Sequence, residues 1–222
     1  MMTDFARARQ NMVDGQIRPA SVTDWRIIDA MRVLPREQFL PESKRELAYL
    51  DIDIDVDAEG AGRHVLLNPI GTARLLQSAE VGERDHALVV GCATGYFAAL
   101  TAKLADRVTA TIDDESLAQA ARATLARLGI ANVTFVVAEA GEGAASTAPY
   151  DVILLNGATE REPTKLYDQL KMGGKLVGVF ADGKPQRATI VTRSPHDFGA
   201  RVLFDASVPV LPGLQREPEF VF

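Results

Sequence analysis

From about position 87 onward, short runs of β-branched and aliphatic residues alternate with longer segments rich in Ala and Leu. Residues 87–90, 107–112, 133–138, 151–156 and 175–180 have the length and composition of buried strands. Residues 96–104 and 115–128 predict helices, and a short helix is expected near 163–170. Strand and helix in this alternation predict an α/β chain with a mostly parallel sheet, helices over it and right-handed crossovers. Residues 187–193 and 201–207 lack a helix-length insert between them, which predicts an antiparallel strand pair at one side of the sheet.

The first eighty residues differ in character. Residues 9–14, 23–33 and 69–79 predict helices, so residues 1–80 are expected to form a helical cap on a sheet built by 81–222, within a single domain. Between the helices, Asp51, Asp53, Asp55, Asp57 and Glu59 alternate with apolar residues, which puts the acids on one face of a strand. A solvated edge strand is expected there, since charge protects an edge from unwanted pairing. A calcium loop is excluded, because Val56 and Gly62 occupy the positions that need Gly and Glu.

Charge and composition narrow the chemistry. The net charge of −6 and the lack of a dense Lys/Arg stripe argue against nucleic acid as partner. No apolar run approaches the roughly 20 residues that cross a bilayer, so no membrane association is expected. The start of the chain has no apolar stretch of signal-peptide type. A single cysteine, Cys92, excludes an internal disulfide and fits a reducing compartment, so the expected location is cytoplasmic.

The richest stretch is Val89-Val-Gly91-Cys92-Ala93-Thr94-Gly95-Tyr96, which follows a predicted strand and opens a predicted helix. Glycine at 91 and 95 permits backbone angles and close approaches closed to other residues. The helix start then offers free N–H groups to a carboxylate or a phosphate. Asp113 or its neighbour Asp114 ends the next strand, roughly 20 positions on, where a carboxylate binds the ribose hydroxyls of adenosine cofactors. The loop has neither dinucleotide glycine spacing nor the Lys-Ser/Thr ending of a P-loop. Gly91-x-Ala93-x-Gly95 instead resembles the Gly-x-Gly-x-Gly loop of S-adenosylmethionine-dependent methyltransferases, with Ala in the middle and Val89 where those enzymes usually have an acid. On this reading Gly95→Val should weaken donor binding and leave the fold intact.

With the amino-terminal part included, the resemblance becomes specific. Asn11-Met-Val-Asp-Gly-Gln-Ile-Arg-Pro19, Val33-Leu-Pro-Arg-Glu-Gln-Phe-Leu-Pro41 and Leu47-Ala-Tyr49 resemble segments of the protein-L-isoaspartate O-methyltransferase family. So do Gly95-Tyr96, Thr111-Ile-Asp113, Ala148-Pro-Tyr-Asp-Val-Ile153 and Gln169-Leu-Lys-Met-Gly-Gly-Lys-Leu-Val177, in the family's order. The resemblance implies a Rossmann-like methyltransferase sheet with an N-terminal helical cap and a C-terminal antiparallel strand pair. It also implies S-adenosyl-L-methionine as donor and a protein, peptide or small-molecule carboxylate as acceptor. Glu139 and Ala140 fall in the family's Gly-Asp-Gly position after the third strand, where Glu139 can accept from the adenine amino group. Asn156 ends the fourth strand, where donor and acceptor meet in many methyltransferases. One departure concerns the acceptor: Leu67, or Leu66 in a neighbouring alignment, stands where the family has its functional serine.

No catalytic residue is named, because a carboxylate nucleophile is ionised at neutral pH and methyl transfer to it needs no general base. A rival reading is a degenerate protein that binds the donor without turnover, and a weaker one is an interaction domain with an empty nucleotide pocket. Cys92 is expected to be a packed small side chain, Trp25 a helix-packing residue and His64 an ordinary surface histidine.

Overall fold

The computed structural model describes residues 4–57 and 62–216. Helix α1 (Phe5–Met12) is opened by Asp4, whose carboxylate accepts from the Arg7 amide at 3.1 Å and so satisfies a free N–H of the first turn. One wider π-type turn, Val13–Ile17, prolongs it. Helix α2 (Trp25–Val33) is capped in the same way by Asp24 and stops before Pro35, which disfavours helical backbone in the residue ahead of it. Two 3-10 turns follow, Arg36–Phe39 and Glu42–Leu47, each too short to leave a periodicity in the sequence. Trp25 does not pack between helices as expected; at 73% exposure it faces solvent.

Strand β1 (Ile54–Asp55) pairs antiparallel with β2 (Val65–Leu66), and α3 (Pro69–Ala79) begins at once with Asn68 as its cap and Pro69 in its first turn. The acids of residues 51–57 do not form a solvated edge strand. Ile54 and Val56 are buried, and the carboxylates turn toward backbone amides. Asp51 accepts from Ile70, Asp53 from Asn68, Asp55 from Asp57 and Gly62, and Asp57 from Arg63 and His64. A winding segment with few ladder bonds thus satisfies its N–H groups with side chains. Glu59 lies outside the described residues.

The main sheet is built from β3 (His86–Val90), β4 (Arg107–Ile112), β5 (Val133–Val137), β6 (Tyr150–Thr159), β7 (Leu170–Phe180), β8 (Arg187–Arg193) and β9 (Phe198–Asp205). Helices α4 (Tyr96–Ala102), α5 (Glu115–Arg127) and α6 (Thr164–Tyr167) lie between strands, α6 being a single turn. The strand order is β5-β4-β3-β6-β7-β8-β9, parallel from β5 to β7 and antiparallel for the last two pairings. The antiparallel pair is therefore present, though its second strand starts earlier than expected. β6 likewise runs past Asn156 to Thr159, with a register irregularity between Leu154 and Ala158.

Side chains alternate between two apolar clusters, one on each face of the sheet. Ala87 and Val89 of β3 and Val152 and Leu154 of β6 join residues of the cap and of α3 to α5 in one continuous cluster. Leu88, Val90, Ile153 and Leu155 join the other, which is closed by Leu166 of α6, Ala140, Ala144, Leu211 and Leu214. The second face is thus covered by irregular chain and by one helical turn, the short helix expected near 163–170. No helix among the described residues is long and apolar enough to cross a membrane. The chain leaves β3 toward β4 and β5, then returns to β6 on the other side. That reversal opens a crevice at the carboxyl ends of β3 and β6, the usual ligand position in such sheets.

Candidate active site

The glycine loop lies in this crevice. Gly91 has φ +70°, and its amide and that of Cys92 reach Thr111 of β4: Cys92 donates to the Thr111 carbonyl at 2.8 Å. Asn156, buried at the end of the regular part of β6, donates through Nδ2 to the Gly91 carbonyl at 2.9 Å and to the Val65 carbonyl at 3.5 Å. One amide thereby ties the loop to the cap strand β2. Thr94 stays half-buried, whereas Ala93 and Cys92 are buried. Burial pushes the Cys92 thiol up to about 11, so it is no nucleophile at neutral pH.

Tyr96 points away from the crevice into the cap. Its ring packs edge-on against Phe39 at 5.2 Å and lies 4.9 Å beneath the guanidinium of Arg36. Arg36 itself is wholly buried and donates to the carbonyls of Ala48 and Leu67. The acceptor segment of the family pattern is therefore held at Leu67 by the motif that carries Arg36. Beside it, Tyr49 donates to the Glu37 carboxylate, which Arg9 also approaches.

The two candidate ribose carboxylates separate cleanly. Asp114 caps α5, its Oδ1 accepting from the Leu117 amide at 2.9 Å and from the Ser116 hydroxyl. The hydroxyl and amide bonds hold its carboxyl below the usual range. Asp113 instead faces the turn ahead of β2, where His64 Nε2 lies 2.7 Å from its Oδ1 and Arg63 Nη2 lies 3.4 Å from its Oδ2. His64 is thus no surface histidine: its Nδ1 also meets Asp57 at 2.5 Å, and its side chain is 11% exposed. Burial works to lower the His64 pKa, but the hydrogen bonds to Asp113 and Asp57 outweigh it and hold it above the usual value.

Glu139 is exposed at the rim, and Ala140 is buried in the second apolar cluster. Over them passes the segment 208–214. Ala158 donates to the Pro209 carbonyl at 2.8 Å, Leu211 to Ala158 at 2.9 Å, and Arg161 to the Gly213 carbonyl at 2.6 Å. A Cβ on Gly91 would lie 2.4 Å from Leu211 Cδ2, and one on Gly157 2.8 Å from Leu211 Cγ. Leu211 therefore roofs the crevice. Sequence reasoning missed Leu211, Arg36 and the His64 contact; Arg36 alone had a signal, its place in the Val33–Pro41 motif.

Gly95, at φ +87°, lies against α5. A Cβ there would lie 3.1 Å from Ala121 Cβ and 3.2 Å from Leu125 Cδ1, so the glycine lets α4 pack against α5. The expectation of an intact fold is corrected accordingly. Gly95→Val combines a strained backbone with overpacking and should destabilise the protein by about 2–4 kcal/mol. Thermal unfolding checks this; a Tm equal to wild type contradicts it.

A mostly parallel sheet with its reversal at β3, a glycine loop after that strand and a carboxylate ending the next define a Rossmann-like site for an adenosine-containing cofactor. Comparison with known proteins gives the family. The family model described as Protein-L-isoaspartate(D-aspartate) O-methyltransferase matches residues 7–203. A protein-L-isoaspartate O-methyltransferase of Rhodopseudomonas palustris is 35% identical over 212 residues, covering 94% of this chain and 95% of that protein. A solved protein-L-isoaspartate O-methyltransferase superposes with a TM-score of 0.82 at 23% identity, covering 93% of this chain and 67% of that one. A Plasmodium falciparum structure assigned to the same activity, in complex with S-adenosyl-L-homocysteine, superposes with a TM-score of 0.74 at 17% identity, covering 95% and 99%. The chain belongs to the protein-L-isoaspartate O-methyltransferase family. It is an O-methyltransferase with S-adenosylmethionine as donor, which favours the catalytic reading over the non-catalytic one.

Proposed function

We propose that this enzyme, acting in the cytosol as one unit of cap and sheet, esterifies a carboxylate on a protein or peptide, with isoaspartyl groups as the acceptor class. The supporting observation is the convergence of the Gly91 loop, Asp113 and Asn156 at the carboxyl ends of β3, β4 and β6. The residues suit the donor: Asp113 keeps acceptor positions for a diol, the loop offers backbone close to the crevice, and Glu139 stands at the rim for an amino group. Gly91, Cys92, Ala93, Thr94, Gly95 and Tyr96 would contribute backbone, since Cys92 and Tyr96 bury their side chains elsewhere. Asp114 would act through the α5 cap and Ala140 through the apolar floor.

The donor supplies an electrophilic methyl group on a sulfonium. An acceptor carboxylate with an ordinary pKa is already ionised, so the protein need not take a proton. Its work is alignment and exclusion of water. Asn156 fixes the loop against β2; Leu66 and Leu67 of that segment and Leu211 beside Gly91 are buried apolar side chains. Incubation with isotopically labelled donor and an isoaspartyl peptide is expected to give a base-labile methyl ester. Donor binding without ester on any peptide or lysate carboxylate would refute the proposal.

A further inference from the structure

Among the described residues, His64 is a strongly placed group that the activity above leaves without a task. We infer that it is a positioning residue of the donor site, clasping Asp113 to Asp57 and so orienting the carboxylate that receives the donor ribose. The inference rests on the assignment of Asp113 to that ribose.

Asp57 is itself held by the turn, accepting from the amides of Arg63 at 2.8 Å and His64 at 3.2 Å. Lys44 donates to the carbonyls of Asp55 and Asp57 from the neighbouring 3-10 turn. With Asp57 fixed, the bond to Nδ1 sets the imidazole plane, and Nε2 then meets Asp113 at 2.7 Å. The path runs from cap backbone to Asp57, through the ring, to the end of β4. Among the described residues, His64 and Arg63 are the side chains that hold the Asp113 carboxylate.

The clasp does not compete with the ligand. A carboxylate offers about four acceptor positions. His64 uses one on Oδ1, and Arg63, at 3.4 Å and largely exposed, uses Oδ2 weakly. Enough remain for two ribose hydroxyls, and Asp113 is still 18% exposed. Losing the clasp would leave the side chain free to rotate, so each binding event would have to order it again.

The clasp also makes donor affinity sensitive to pH. Protonated His64 donates to both carboxylates, whereas the neutral ring has one N–H and turns a lone pair toward the other. The charged groups around it are Asp57 and Arg63 on the turn and Asp113 and Asp114 at the β4–α5 junction, with Lys44 behind Asp57. Because the folded pKa is raised, the clasp is complete below the ordinary histidine value and is lost as pH rises through the higher folded value.

The test is calorimetric binding of S-adenosylhomocysteine between about pH 5.5 and pH 9, a range that brackets histidine titration. Wild type should lose affinity across the range. His64→Ala should bind about tenfold more weakly at the acid end, with the gap to wild type closing at the alkaline end. Asp57→Asn, at a residue outside the proposed donor contacts, should reproduce the acid-end loss, and the double variant should add little. Asp113→Ala is the control for the underlying assignment. If it binds like wild type, the ribose reading fails and this inference with it. If it binds weakly while His64→Ala and Asp57→Asn follow wild type at every pH, the clasp alone is refuted. Equal loss in the two variants at all pH values overturns the pH dependence and leaves His64 a structural residue.

Discussion

Asp113→Ala is expected to bind S-adenosylhomocysteine ten- to a hundredfold more weakly than wild type, while Asp114→Ala binds almost normally. The asymmetry follows from where the neighbours point. A hydrogen bond to a charged group is worth about 1.5–3 kcal/mol, which converts to that range of affinity. Asp114 spends its oxygen on the Leu117 amide and the Ser116 hydroxyl at the start of α5. Its loss should appear as about 1 kcal/mol of stability, the typical cost of removing an N-cap. The Asp114 pKa is lowered, so that contribution is present at neutral pH and fades as pH falls through its folded value. Calorimetry for affinity and thermal unfolding for stability separate the two roles. Equal affinity losses in both variants would show that the ribose site is shared or misplaced.

The second large effect concerns the acceptor. Wild type is expected to methylate a standard isoaspartyl peptide ten- to a hundredfold more slowly than a family member with the usual serine, because Leu67 supplies no hydroxyl. A hydrogen bond to an acceptor carboxylate is worth about 1.5–3 kcal/mol of barrier. Thr72 brings a hydroxyl to the same segment, but it donates to the Asn68 carbonyl at 2.8 Å. Leu67→Ser should raise the rate. Leu67 is 1% exposed, however, so the exchange also empties core volume and should cost about 2–5 kcal/mol of stability. Rates therefore belong beside a melting curve, at a temperature where the variant is folded. Leu66→Ser, from the neighbouring alignment, provides a second trial. Turnover of wild type equal to the reference enzyme would show that the missing serine is compensated.

The sheet was legible because its strands are continuous apolar runs, and the longest helix between them, α5, carries its own cap and apolar spacing. Ala87, Leu88, Val89 and Val90 are all buried, as a central parallel strand requires. The loop was legible through glycines whose angles few other residues adopt, Gly91 above all. What escaped detection depends on distant partners. The alternation of Asp51 to Asp57 has the period of a strand, yet the acids answer amides up to nineteen positions away, as Asp51 does for Ile70. His64 has no local feature to mark it, since its partner Asp113 is set beside it only by the sheet. That Gly95 also lets α4 pack against α5 is a property of the packed helices, which the motif does not show. The roof by Leu211 comes from a segment with neither helix nor strand period.

The crossing of the segment 208–214 over Gly91 and Gly157 has a consequence for how the enzyme is made. Synthesis runs from the amino end, so β3, β4 and β6 can pair while Leu211 is still unavailable. The crevice is floored early and roofed last, and its walls include Val65 from the opposite end of the chain. Contacts this far apart in sequence form slowly, because loop-closure entropy is lost before they contribute. During that interval the apolar face around Leu88, Leu155 and Leu176 is open to other chains. A pause in translation after β9 would hold the enzyme with its sheet formed and its crevice uncovered.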